Sequence, residues 1–123
     1  MKTAYLPFAL QPVSCDSLIR LGKDFDGGYV IDSRNISSTD ILIGLGMNDD
    51  WSFEEDFTSS QKVPTYIFDG TVSQARFIKN LILSIVRIDK LSLFFHWLKT
   101  IVKYYFFFKN DNHHVKLLVD DLQ

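Results

Sequence analysis

The segment Asp40-Ile-Leu-Ile-Gly-Leu-Gly-Met-Asn-Asp-Asp50, followed by Tyr66-Ile-Phe-Asp69, restricts what this chain can fold into more than any other feature. An apolar run with a pair of glycines, a polar turn and a second apolar run closed by a carboxylate is the order in which a nucleotide-binding α/β fold builds its pocket. The glycines permit a tight turn and close approach of a ligand to backbone. The later acid can accept hydrogen bonds from ribose hydroxyls, so the expected ligand is an adenosine-type cofactor.

The flanking patterns extend this reading. Leu18-Ile-Arg-Leu21 leads into the turn-forming run Gly22-Lys-Asp-Phe-Asp-Gly-Gly28 and then Tyr29-Val-Ile31, which has strand propensity, so a hairpin or tight loop is expected there. The continuous apolar run at 41–45 suits a first parallel strand buried on both faces. Residues 49–57 read as a helix start, because Ser52 and Glu55 have capping-box spacing and acids crowd the first turn. Pro64 introduces a second strand at 65–68, with Asp69 at its carboxyl end. From Ile78 to Tyr105 apolar residues recur at three- and four-residue steps, which predicts one long amphipathic helix or two consecutive ones, lysines opposite. Residues 104–108 are apolar all round and require cover, residues 109–114 read as a loop, and residues 115–119 as a short strand or helix.

Composition narrows the function classes. At 123 residues and 46% hydrophobic content the chain has room for one small globular domain. One cysteine, Cys15, offers neither an internal disulfide nor a zinc motif, and a reducing, cytoplasmic setting is expected. Pro7 interrupts the short amino-terminal apolar patch, which argues against a signal peptide. Lysines, Arg87 and Asp89 interrupt the region 77–108, which leaves no transmembrane span. Residues 1–70 carry 11 acids and 5 bases, net −6, whereas residues 71–123 carry 4 acids and 8 bases, net +4. The basic half can face the acidic half or an anionic partner, but it is not basic enough to indicate nucleic acid.

Three elements together resemble the amino-terminal half of the FkbM-type and related methyltransferase-like proteins: Asp26-Gly-Gly-Tyr29, Ile43-Gly-Leu-Gly-Met-Asn-Asp-Asp-Trp-Ser-Phe-Glu54 and Phe68-Asp69. The resemblance covers roughly residues 18–74. It implies an α/β fold with a partial Rossmann-like, class I methyltransferase-type sheet, S-adenosylmethionine as cofactor, and methyl transfer, mostly to oxygen. It sets Gly44 and Gly46 under the cofactor's amino-acid and ribose portion and Asp69 on the ribose hydroxyls, with Asp49, Asp50 and Ser52 lining the same mouth and residues 26–29 nearby. The sequence departs from the pattern at Leu42, where an acid often precedes the first glycine, and at Asn48, where a third glycine is absent. The family's later strand with a D-x-E-G-type segment is also missing. The resulting expectation is a single, truncated methyltransferase-like domain over 1–123: motif region 18–74, helical segment 75–108 and tail 109–123.

Each motif also has a plain structural reading. Gly44 and Gly46 can make a strand-to-helix turn that binds nothing, and Asp26, Asp49 and Asp50 can be turn and N-cap residues. Their spacing does not match a calcium loop. His96 reads as a packed helix residue, His113 and His114 as loop residues available as a general base, and no catalytic residue is assigned. The acceptor, a small molecule or glycan, is not specified. The alternative to an enzyme is an interaction module whose aromatic helix self-associates or docks on a partner or a membrane surface.

Overall fold

The computed structural model describes residues 5, 7–11, 13–24, 26–86, 91–109 and 111–117. The protein is a mixed α/β structure, with a two-stranded hairpin, a three-stranded parallel sheet and three α-helices among the described residues. Strands β1 (Leu18–Leu21) and β2 (Tyr29–Asp32) pair antiparallel, Leu18 opposite Asp32 and Leu21 opposite Tyr29. The hairpin is a unit apart from the parallel sheet. At its open end the Asp32 carboxylate accepts hydrogen bonds from Ser17 Oγ and from the Arg34 side chain.

The parallel sheet contains β3 (Leu42–Leu45), β4 (Thr65–Phe68) and β5 (Asn112–Val115) in that spatial order. Helix α1 (Ser52–Ser60) connects β3 to β4, and α2 (Gln74–Val86) with α3 (Leu91–Phe107) connects β4 to β5. Parallel neighbours require such crossovers, because the chain must return to the starting end of the sheet before the next strand. Gly44 and Ile67 are paired in register and point to the helix-covered face, against Glu54 of α1. Ile67 joins Met47, Trp51, Val72, Phe77 and Tyr104 in the core, with Trp97, Ile101, Phe107 and Phe108 packed against it. Trp51 stands at its centre, with ring contacts to Phe77, Tyr104, Phe107 and Phe108 and with Lys103 Nζ 5.5 Å above its face.

Several expectations are corrected here. The first parallel strand is covered on one face only, for Ile43 and Leu45 remain 57% and 68% exposed on the other. The capping box does not form. Ser52 lies inside the first turn, the Asp50 carboxylate caps α1 by accepting from Ser52 N at 3.0 Å, and Glu55 instead pairs with Lys103 at 2.6 Å. Residues 112–115 form a strand where a loop was expected, so His113 and His114 are strand residues on opposite faces of β5. The proposed element at 115–119 reaches residues 118 and 119, which lie outside the described set. Of the two arrangements expected for the long apolar region, the structure has the second, two consecutive helices. Phe77, near the start of α2, lies against Trp97 and Tyr104 in the middle and end of α3, so the remainder of α2 and the start of α3 form a hairpin packed chiefly on itself.

Candidate functional site

Because β3 and β4 are parallel, their carboxyl ends open on the same side and the loops leaving them meet there. Gly46, Met47, Asn48, Asp49 and Asp50 form one wall of a cleft of about 350 Å³. Asp26, Gly27 and Tyr29 from the hairpin and Asp69 after β4 complete its lining. At Gly46 the chain turns through φ 81°, a left-handed conformation that glycine adopts without strain, and nothing lies within 4 Å of the place a side chain would take. The floor of the cleft is therefore bare backbone, open to close approach. Asn48 is also left-handed, at φ 45°, a conformation Asn tolerates better than most residues.

Asp69 holds this turn in place. One carboxylate oxygen accepts from Met47 N at 2.9 Å and Asn48 N at 3.1 Å, and the other from Thr71 N at 2.8 Å and Thr71 Oγ1 at 2.6 Å. A carboxylate offers about four lone-pair sites, and all of them are engaged. Burial alone would raise the Asp69 carboxyl, but the hydrogen bonds from Met47, Thr71 and Asn48 outweigh it and lower its pKa to about 2. Asp69 lines the cleft, as its position at the strand end implied, yet its oxygens staple the β3 loop to the β4 loop and are not free for ribose hydroxyls.

The hairpin is held over the cleft by a second set of contacts. Ser52 Oγ accepts from Lys23 N at 3.0 Å and donates to Gly27 O at 3.2 Å, while Lys23 Nζ lies 2.9 Å from Asp50. A side chain on Gly27 would come within 2.6 Å of the Asp50 carboxylate, at a φ of 86°. The Asp-Gly-Gly element is thus the piece of backbone thin enough to close over Asp50. Burial would raise the Asp50 carboxyl, but hydrogen bonds from Lys23 and Ser52 bring it below the usual range.

Of the six residues singled out in the sequence, four meet at the cleft: Gly46, Asp49, Asp50 and Asp69. Gly44 and Ser52 do not line it. Gly44 is buried beneath α1, where an added Cβ would lie 2.7 Å from Glu54 Oε1 and 3.3 Å from Ile67, so its missing side chain lets helix approach strand. Ser52 acts on the hairpin backbone. Glu54 is itself buried, and burial raises its carboxyl, with Asp50 and Glu55 adding repulsion against a smaller effect of its own backbone N–H.

Two histidines have positions the sequence did not reveal. His96 Nε2 lies 3.0 Å from Asp49 Oδ2, so this half-exposed residue of α3 reaches the cleft wall and is not packed in a core. His114 Nε2 lies 2.9 Å from the Asp69 carbonyl, which can only accept, so Nε2 donates there, and Nδ1 is hydrogen-bonded to the Tyr104 hydroxyl 2.7 Å away. That ring joins β5 and α3 to the end of β4, with both its nitrogens engaged. His113 stacks on Tyr66 on the opposite sheet face. The pairing of residues 49 and 96 spans 47 positions, and no local pattern in the sequence signals it.

Among the described residues no three His, Cys, Asp or Glu side chains converge closely enough to hold a metal ion, and the four aspartates form a dispersed negative wall. Among the described residues no helix is long and apolar enough to cross a membrane. No family model matches the chain, and neither the curated proteins nor the solved structures contain a match to it.

Proposed function

We propose that the protein binds S-adenosylmethionine in the cleft at the carboxyl ends of β3 and β4, and that its parallel unit is the first half of a Rossmann-like, methyltransferase-type sheet. The observation that carries this reading is the cleft itself, with a glycine floor open to close approach and aspartates on three sides. Support for the fold comes from three parallel strands in sequential order with helices α1 and α3 on one face. The resemblance of the same segments to FkbM-type proteins agrees with it.

The electrostatics select among adenosine cofactors. Among the four aspartates Asp26, Asp49, Asp50 and Asp69, Asp50 is paired with Lys23 and Asp49 lies 3.0 Å from His96 Nε2, so the carboxylates outnumber these partners. Such a wall repels a pyrophosphate and attracts a positive group. S-adenosylmethionine, when bound, supplies a methyl group on a cationic sulfur. Asp49 and Asp26 are the carboxylates placed to receive its positive and hydroxyl groups, Gly46 gives it room, and Asp69 shapes the loop rather than touching it. Any rate enhancement would come mainly from holding the donor carbon against an acceptor oxygen.

Calorimetric titration of the purified chain tests the reading. Saturable binding of S-adenosylmethionine, tighter than that of S-adenosylhomocysteine, which lacks the sulfonium charge, and far tighter than that of a dinucleotide, is expected. Asp49→Asn should weaken the sulfonium form by roughly 1 kcal/mol and the thioether form less. A folded chain that binds neither, or that prefers the dinucleotide, would refute it. Asp69→Ala is a poor probe, because it disturbs the loop before any ligand arrives.

A further inference from the structure

The α2–α3 hairpin presents an apolar face that the rest of the described chain leaves open. On α3 the exposed side chains Leu91, Phe95, Leu98, Val102 and Tyr105 follow one another at steps of four and three residues, which keeps them on one face of the helix. On α2, Ile78, Ile82 and Ile85 repeat the pattern and are equally exposed. The two stripes open on the same side of the hairpin, for Ile78 of one and Tyr105 of the other line a single groove with Ile101.

The charges around this face have a definite order. Phe77, one residue before Ile78, points at α3 and meets Trp97, which is one residue before Leu98. Lys79 and Lys99, one residue after Ile78 and Leu98, therefore lie about 100° round each helix on the margin away from its neighbour. Both lysines are exposed. The apolar face is thus bordered by a lysine on each outer edge, and the described residues from 74 to 109 include Arg76, Lys79, Lys99, Lys103 and Lys109 but no aspartate or glutamate. Apolar and aromatic side chains in the middle with basic ones at the margins is the arrangement that lies in the plane of a bilayer surface, lysine stems reaching out to the headgroups. Two copies packed through this face would bring their lysine margins together, whereas an anionic surface neutralises them.

We infer that the hairpin face formed by Ile78, Ile82, Phe95, Leu98 and Val102, edged by Lys79 and Lys99, docks on an anionic lipid bilayer surface without crossing it. The inference stands apart from the cofactor proposal, since the face and the acid-lined cleft share no residue.

Co-sedimentation of the full chain with phosphatidylcholine vesicles, with and without phosphatidylserine, at low and high salt, tests it. The expected result is association with the phosphatidylserine vesicles that falls with salt and is much weaker on phosphatidylcholine alone. Each lysine near an anionic surface contributes about five-fold in affinity, so Lys79→Gln with Lys99→Gln should weaken binding roughly thirty-fold. Leu98→Gln with Val102→Gln should abolish binding to both vesicles. None of the four side chains belongs to the buried core, so the far-ultraviolet circular dichroism should not change in either variant. A folded chain that ignores phosphatidylserine vesicles, or whose binding is indifferent to the two lysines, overturns the proposal. So does a dimer in sedimentation equilibrium that Leu98→Gln dissolves, which would assign the face to a second copy.

Discussion

Replacing Asp69 tests the staple that shapes the cleft. Its carboxyl is held at about 2 against an ordinary 3.8, which corresponds to roughly 2 kcal/mol of stability at neutral pH. The hydrogen bonds lead to a similar figure: Met47 N and Asn48 N would lose a charged acceptor near the core, and such bonds contribute about 1.5–3 kcal/mol. Asp69→Asn keeps the shape but turns an amide N–H toward one pair of donors, and Asp69→Ala leaves both pairs unmatched. Urea unfolding at neutral pH should show Asp69→Asn less stable by about 2 kcal/mol and Asp69→Ala by somewhat more. The sign follows from the lowered carboxyl. The native state favours the ionised form, so its advantage is fully present above the unfolded value of 3.8 and is lost as pH falls through about 2. The gap between wild type and Asp69→Asn should shrink by roughly half near pH 3, other carboxylates titrating alike in both proteins. Equal midpoints at neutral pH, or a gap that does not narrow in acid, would refute the staple.

Other perturbations probe neighbouring contacts. Glu54 has a raised carboxyl, so its charge costs stability above the unfolded value of 4.5; Glu54→Gln should raise the thermal midpoint at neutral pH and have little effect below pH 4, read by calorimetry. Gly27→Ala meets both a left-handed backbone and the Asp50 carboxylate, and should lower unfolding free energy by about 1–3 kcal/mol in urea titration. Tyr104→Phe removes the hydroxyl hydrogen-bonded to His114 Nδ1 and should cost about 1–2 kcal/mol by the same measurement, with a smaller loss when His114 is already replaced.

Local pattern carried a large part of the fold. The second strand at 65–68, the apolar run at 41–45 and the switch to helical period after Gly70 all reappear as elements, because each depends on a short-range alternation of polar and apolar side chains. The capping box was misread, since Ser52 and Glu55 have the right spacing but stronger partners elsewhere: Gly27 O and Lys23 N for one, Lys103 for the other. The strand at 112–115 was hidden in a polar stretch. What makes it a strand is the free edge of β4, where Thr65 N donates to the Asp111 carbonyl and Asp69 N to the Val115 carbonyl.

The candidate site divides in the same way. That Gly46, Asp49, Asp50 and Asp69 would share one mouth was what the resemblance implied, and they meet there because a parallel strand–helix–strand unit brings the ends of both strands to one side. What each residue does there was decided only by tertiary structure. Asp69 turns from ligand contact to staple because four donors converge on it, Gly44 serves helix packing because Glu54 lies over it, and His96 reaches Asp49 from a helix 47 residues further on. The chain by itself determined which elements form and where their ends gather, since those depend on neighbours in sequence. Hydrogen-bond partners and burial are set by groups distant in sequence, and so only the folded structure could assign them.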